Sequence, residues 1–239
     1  MARSTDDGEC LRRLRAAIEE DDCGAIDEAL EAVEEIEAAL PAVLGLLDHR
    51  ESFVRDAAVG TLAGRRLPTS LGVENRLLER LQREEDEIVL CTICEALEWH
   101  GGTASRDPLL RAMEMQGELV RPWAAEALGW IGCDAAHRVA LREVARTRDD
   151  ARLACAAASA LVLLGERSFA QEATRAALSN DSATVGLMEF LGQVRRRRPE
   201  EDQDILADFA AFLARVDAVF PAHRGQAERL RAAAAASLP

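Results

Sequence analysis

Trp99 and Trp130 each follow a glutamate by four residues, Glu95 and Glu126, so on a helix each pair shares a face one turn apart. An aromatic ring beside a carboxylate suits a guanidinium or ammonium group, which the ring attracts through its quadrupole and the carboxylate through its charge. Glu98 and Trp123 stand in the same two stretches, and Glu28 and Glu189 recur at the place in their own stretches that Glu95 and Glu126 hold in theirs. The candidate binding set is therefore Glu95, Glu98, Trp99, Trp123, Glu126, Trp130 and Glu189, facing a protein or peptide partner that carries arginine or lysine. The competing expectation is that the tryptophans fill gaps between alanine-rich helices while the glutamates are solvated.

Other residue types offer less. Cys91 and Cys94 are three apart, and Cys133 and His137 are four apart, spacings that could serve zinc. In register-matched repeats, however, Cys94 and Cys133 sit eight positions apart, roughly 12 Å along a helix, too far for one ion; no metal is expected. His49, His100, His137 and His223 share no register, so neither a catalytic triad nor a metal cluster is expected of them. No lysine occurs, and all 29 basic residues are arginine, which removes Schiff-base and P-loop lysine chemistry. The run Arg195 to Arg198 is followed at once by Pro199, Glu200, Glu201 and Asp202; it suits a helix C-terminus with acidic partners better than a phosphate backbone.

The elements that must position these groups are repeated. From Val120 as position 0, "VRPWAAEALGWIG" has apolar residues at 0, 8 and 11, Arg at 1, Glu at 6, Ala at 7 and Gly at 12. "VRDAAVGTLAGRR" from Val54, "VLCTICEALEWHG" from Val89 and "LACAAASALVLLG" from Leu153 share most of that pattern, and looser copies surround Leu30 and Leu191. The six leucines at position 8 (Leu30, Leu62, Leu97, Leu128, Leu161 and Leu191) are spaced by 32, 35, 31, 33 and 30 residues. Positions 0, 4, 7, 8 and 11 share one helical face and must be buried. Alanines at 4 and 7 allow close helix approach, and Gly at 12 can take the left-handed conformation that stops a helix. Arg55 and Arg121 at position 1 are expected to meet acidic groups at inter-repeat turns as exposed, individually weak pairs. Between the copies lie partner helices such as "ENRLLERLQRE" and "FAQEATRAAL", with starts marked by Asp107 before Pro108 and by Asn180 and Asp181.

This pattern resembles the HEAT-repeat family, in the short bacterial form of the bilin-lyase type, over roughly residues 9–198. The spacing is shorter than the usual ≈ 40 to 47 residues. The resemblance implies a right-handed α-solenoid of about six helical hairpins whose second helices line a concave surface. Beyond it, "ILADFAAFLARVDAVF" (205–220), ended by Pro221, and a last helix over about 225–237 are expected to form a C-terminal capping pair within 202–239. An alternative use of the phenylalanine stripe is homodimerisation.

Composition agrees with an all-α fold: 49% hydrophobic residues with only 4% aromatics and no tyrosine favour closely packed helices over a β-sandwich. The net charge of −14 repels nucleic acid and anionic lipid and favours a basic partner. The opening "MARSTDDGEC" lacks the apolar stretch of a secretory signal, and the longest apolar run, Leu153 to Gly165, is too short to span a bilayer. A cytoplasmic chain with reduced cysteines is expected. The leading functional expectation is a non-catalytic scaffold or adaptor that binds a protein or peptide on the concave face, without cofactor; a narrower form is an immunity-type inhibitor of a basic toxin. HEAT-like DNA alkyl-base glycosylases are a weaker alternative, because no Asp-plus-Trp motif or continuous basic surface is present. A bilin lyase is weaker still, because the resemblance lies in residues that specify the fold.

Overall fold

The computed structural model describes residues 6–33, 36–65, 67–115, 117–197, 202–214 and 224–235, all in helices, turns and loops, with no strand among them. The chain divides into two compact units, Met1–Pro108 and Leu109–Pro239.

The first unit contains α1 (Asp6–Glu20), α2 (Cys23–Glu31), α3 (Ile36–Leu46), α4 (Ser52–Leu62), α5 (Val73–Leu81) and α6 (Glu87–His100). Here α1 packs on α2, α3 on α4 and α5 on α6, while α2 touches α4 and α4 touches α6. Helix α7 (Arg106–Glu114) begins at the end of this unit, and the second unit continues with α8 (Val120–Ile131), α9 (Ala135–Ala145), α10 (Ala151–Leu163), α11 (Ala170–Ser179), α12 (Asp181–Arg197), α13 (Asp202–Leu213) and α14 (Arg224–Ala235). Its pairs are α9 with α10, α11 with α12 and α13 with α14, and α10 lies between α8 and α12. The all-helical hairpin architecture expected from the spacing is the one observed.

The repeat register explains the core. In the four segments starting at Val54, Val89, Val120 and Leu153, positions 0, 4 and 8 are at most 2% exposed. Each such leucine, withdrawn from water, contributes about 1.5–3 kcal/mol. Helix α10 is the extreme case: every residue from Leu153 to Leu163 is buried, because its alanines let α8, α9, α11 and α12 close around it. At the α8–α10 crossing a Cβ on Gly129 would lie 2.7 Å from the Cα of Ala160. That approach requires glycine.

Turn chemistry sets the helix starts. Asp22, Asp86, Asp134 and Asp150 cap α2, α6, α9 and α10 by accepting backbone N–H groups of the first turn, which satisfies donors that a helix N-terminus leaves free. Asn180 accepts from the Ala183 N–H at 3.1 Å before α12. Asp107 lies inside the first turn of α7 rather than capping it, because the helix already begins at Arg106. Gly132 and Gly165 end their helices with φ of 77° and 91°, whereas Gly101 leaves α6 through extended backbone at φ −73°.

The position-1 arginines depart from expectation in strength. Arg55 donates through Nε and Nη2 to both carboxylate oxygens of Glu84 at 2.8 Å, and through Nη1 to the carbonyls of His49 and Arg50. The Arg55 and Glu84 side chains are only 10% and 1% exposed. This is a buried clamp: one arginine joins its own hairpin's turn to the turn 29 residues on. In the second unit Arg121 repeats it more loosely, donating to the Met113 carbonyl at 3.1 Å and lying 3.6 Å from Asp150.

Within the described residues the C-terminal helices span Asp202–Leu213 and Arg224–Ala235. Ile205, Leu206, Phe209 and Leu213 of α13 are buried, with Phe209 6.0 Å from Phe190 of α12, so this part of the phenylalanine stripe is engaged within the chain. Val216, Phe220, Pro221 and His223 lie outside the described residues, as do Arg198 to Glu201.

Candidate functional site

In the first unit, α6 carries Glu95, Glu98 and Trp99. Glu95 and Trp99 are half-buried and share a face, while Glu98 is buried at 5% exposure beside Cys94, one turn before it. Burial first, and then Cys91 and Glu98, push the Cys94 thiol well above its ordinary range. His100 ends the helix buried, its Nε2 donating to the Leu62 carbonyl at 2.9 Å. Burial holds its pKa below the usual 6.5, although the Leu62 bond acts in the opposite direction. Glu28, on α2, lines a groove of about 790 Å³ with Glu9, Cys10, Arg13 and Glu20.

In the second unit, α8 carries Trp123, Glu126 and Trp130, whose surroundings differ. Trp123 and Trp130 are seven residues apart in the sequence, about 10 Å along the axis. Glu126 is buried and close enough to Cys155 of α10 to act, after burial itself, in pushing that thiol up to about 12. Trp130 packs 6.4 Å from Phe190, and the Arg197 guanidinium lies 3.9 Å over its ring. An arginine of this chain therefore already occupies that aromatic face. Glu189, next to Phe190 on α12, is exposed.

Trp123 stands in a different setting. It lines a cleft of about 450 Å³ at the N-terminal ends of α8 and α10, where Glu118, Asp149 and Asp150 supply carboxylates and Leu119 and Pro122 apolar surface. Leu119 is 53% exposed. The Arg152 guanidinium lies 6.0 Å over the Trp123 ring, its Nη1 donating to the Ser182 carbonyl at 3.2 Å. Aromatic, apolar and anionic groups converge here in one concavity, the composition that recognises a basic side chain on a peptide. Glu118, Leu119, Asp149 and Asp150 were invisible as site residues in the sequence because they fall in turns, where they read only as helix boundaries. The signal that could have found them is the acidic residues just before each helix, Glu118 before α8 and Asp149 and Asp150 before α10.

One mixed cluster has the elements of metal chemistry. Potential ligand atoms of Asp21, Cys23 and His49 lie within 4.8 Å of one another. Yet His49 Nδ1 accepts the Glu51 N–H at 3.2 Å, which leaves the proton on Nε2, donating to Asp21 at 3.2 Å, and Arg50 lies 2.6 Å from the other Asp21 oxygen. The imidazole offers no lone pair inward and a guanidinium sits where a cation would, so these residues do not fit a metal ion as arranged.

No helix among the described residues is long and apolar enough to cross a membrane. Comparison with curated proteins and with solved structures returns no match. Residues 74–185 match the family model for HEAT repeats, a stretch that includes the buried leucines Leu97, Leu128 and Leu161. Over residues 74–185 the chain carries HEAT repeats.

Proposed function

We propose that the protein is a non-catalytic scaffold or adaptor that binds a basic protein segment, with the cleft around Trp123 as the principal contact. HEAT repeats are a helical scaffold suited to protein interaction. The carrying observation is the convergence of Trp123 and exposed Leu119 with three carboxylates in one cleft. The net charge of −14 adds long-range attraction for such a partner. In the same unit Glu189 on α12 is exposed and available to extend contact; Glu126 and Trp130 support it from within the packing.

The test is binding of a short arginine–alanine peptide to the full chain at low ionic strength, compared with Trp123→Ala and with Glu118→Gln/Asp149→Asn. Loss of a central aromatic anchor costs about 2 kcal/mol or more, roughly a thirtyfold weakening. Neutralising the carboxylates is expected to flatten the salt dependence. A peptide bound equally by wild type and Trp123→Ala would refute the assignment.

A further inference from the structure

The chain has 43 acidic residues and 29 basic ones, so an arginine without a carboxylate partner is against the odds. Arg146 and Arg148 are two such residues, close together at the α9–α10 turn: the Arg146 guanidinium lies 5.6 Å over the Phe169 ring, and neither side chain makes an ion pair or hydrogen bond among the described residues. Arg175 of α11 completes the rim, with Glu172 3.9 Å away. The three guanidiniums surround a groove of about 300 Å³ whose apolar surface is Ala145, Ala151, Ala154 and Ala176. Asp149 and Asp150, next in the chain after Arg148, line the Trp123 cleft instead, and Ala151 lines both. The turn thus separates a groove lined by three arginines and Glu172 from a cleft lined by three carboxylates and Arg152, two surfaces of opposite net sign.

We propose that this second groove binds an acidic protein segment, with carboxylates engaging Arg146, Arg148 and Arg175 and a small apolar side chain resting on the alanines. Arg146 and Arg148, which have no carboxylate partner among the described residues, are available for bidentate carboxylate bonds without first breaking an ion pair. A floor of methyl groups admits a small side chain between the charges. A peptide fits better than nucleic acid, because an extended polyphosphate leaving the groove would meet Glu118, Asp149 and Asp150 in the adjoining cleft. The proposal does not depend on the Trp123 cleft being a binding site.

The experiment follows the arginine Nε–Hε resonances of the full chain during titration with a short peptide of alternating glutamate and alanine. Those of Arg146, Arg148 and Arg175 are expected to shift and saturate. Arg146→Ser/Arg148→Ser, both exposed positions, should weaken binding about tenfold, as expected for two partly solvated ion pairs; Arg146→Lys/Arg148→Lys should retain most of it. Trp123→Ala should leave it unchanged, which keeps this result separate from failure of the basic-peptide assignment. Unmoved arginine resonances at millimolar peptide, or equal affinity in the serine variant, would overturn the proposal. Tighter binding of a short oligothymidylate at the same arginines would overturn the choice of a protein partner.

Discussion

Glu84→Gln tests the clamp that joins successive hairpins. Burial would raise the Glu84 carboxyl, but hydrogen bonds from Arg55, the Asp86 N–H, Arg80 and the Glu85 N–H outweigh it and lower its pKa from 4.5 to about 2. At about 1.4 kcal/mol per pKa unit, that difference is worth about 3 kcal/mol of folding stability near neutral pH. The folded-state pKa is depressed, so the contribution is complete above pH 4.5 and is lost as pH falls from there towards about 2. Glutamine keeps the shape but removes the charge, leaving the Arg55 guanidinium, 10% exposed, without its anion; breaking a buried pair this way typically costs about 3–5 kcal/mol. Urea unfolding followed by circular dichroism should therefore show a loss of about 3 kcal/mol at pH 7. The wild-type minus variant difference should shrink towards zero at low pH and change little with salt. Asp48→Asn is the control: Asp48 also meets Arg76, Arg80 and Arg83, but at 45% exposure, so its loss should cost about 1 kcal/mol or less. A cost below about 1 kcal/mol for Glu84→Gln, or an unchanged acid limb, would refute the buried-clamp reasoning.

Gly129→Ala should destabilise the protein, since overpacking against the Ala160 backbone costs about 1–3 kcal/mol and exceeds a helix-propensity gain of about 1 kcal/mol. Gly60→Ala, with nothing within 4 Å, should keep that gain, and thermal melts of the two variants check the contrast. His100, with its folded pKa below 6.5, should make stability fall as pH drops below 6.5, because the unfolded chain takes up the proton first; replacing it with Gln should remove that slope from the urea midpoints. Cys94 and Cys155, buried and with raised thiol pKa values, should resist a thiol reagent in the native state while the half-buried Cys10, Cys23, Cys91 and Cys133 react first, as mass spectrometry of timed labelling would show.

Periodicity carried the repeat because burial is a property of helix faces, and a face is written in the chain as a spacing. Leu62, Leu97, Leu128 and Leu161 could be placed in the core from their register alone, and each is fully buried. Capping was equally local: Asp22, Asp86, Asp134 and Asp150 act on N–H groups two or three residues away. The clamp was half legible, since Arg55 stood at a repeated position, but its strength depends on Glu84, 29 residues on, being withdrawn from water with it.

The tryptophans show where that reasoning stops. Trp123 and Trp130 lie on one helix, yet tertiary packing gives Trp130 to Phe190 and Arg197 and leaves Trp123 at the edge of a cleft built from two turns. Arg146 and Arg148 are followed directly by Asp149 and Asp150 in the chain, yet the fold places the arginines in one groove and the aspartates in another cleft. Helical class, repeat register and helix ends arise from interactions within a few residues, so the chain encodes them directly. Which charges are paired, and which faces remain open, depends on groups brought together from distant turns, and only the folded packing settles that.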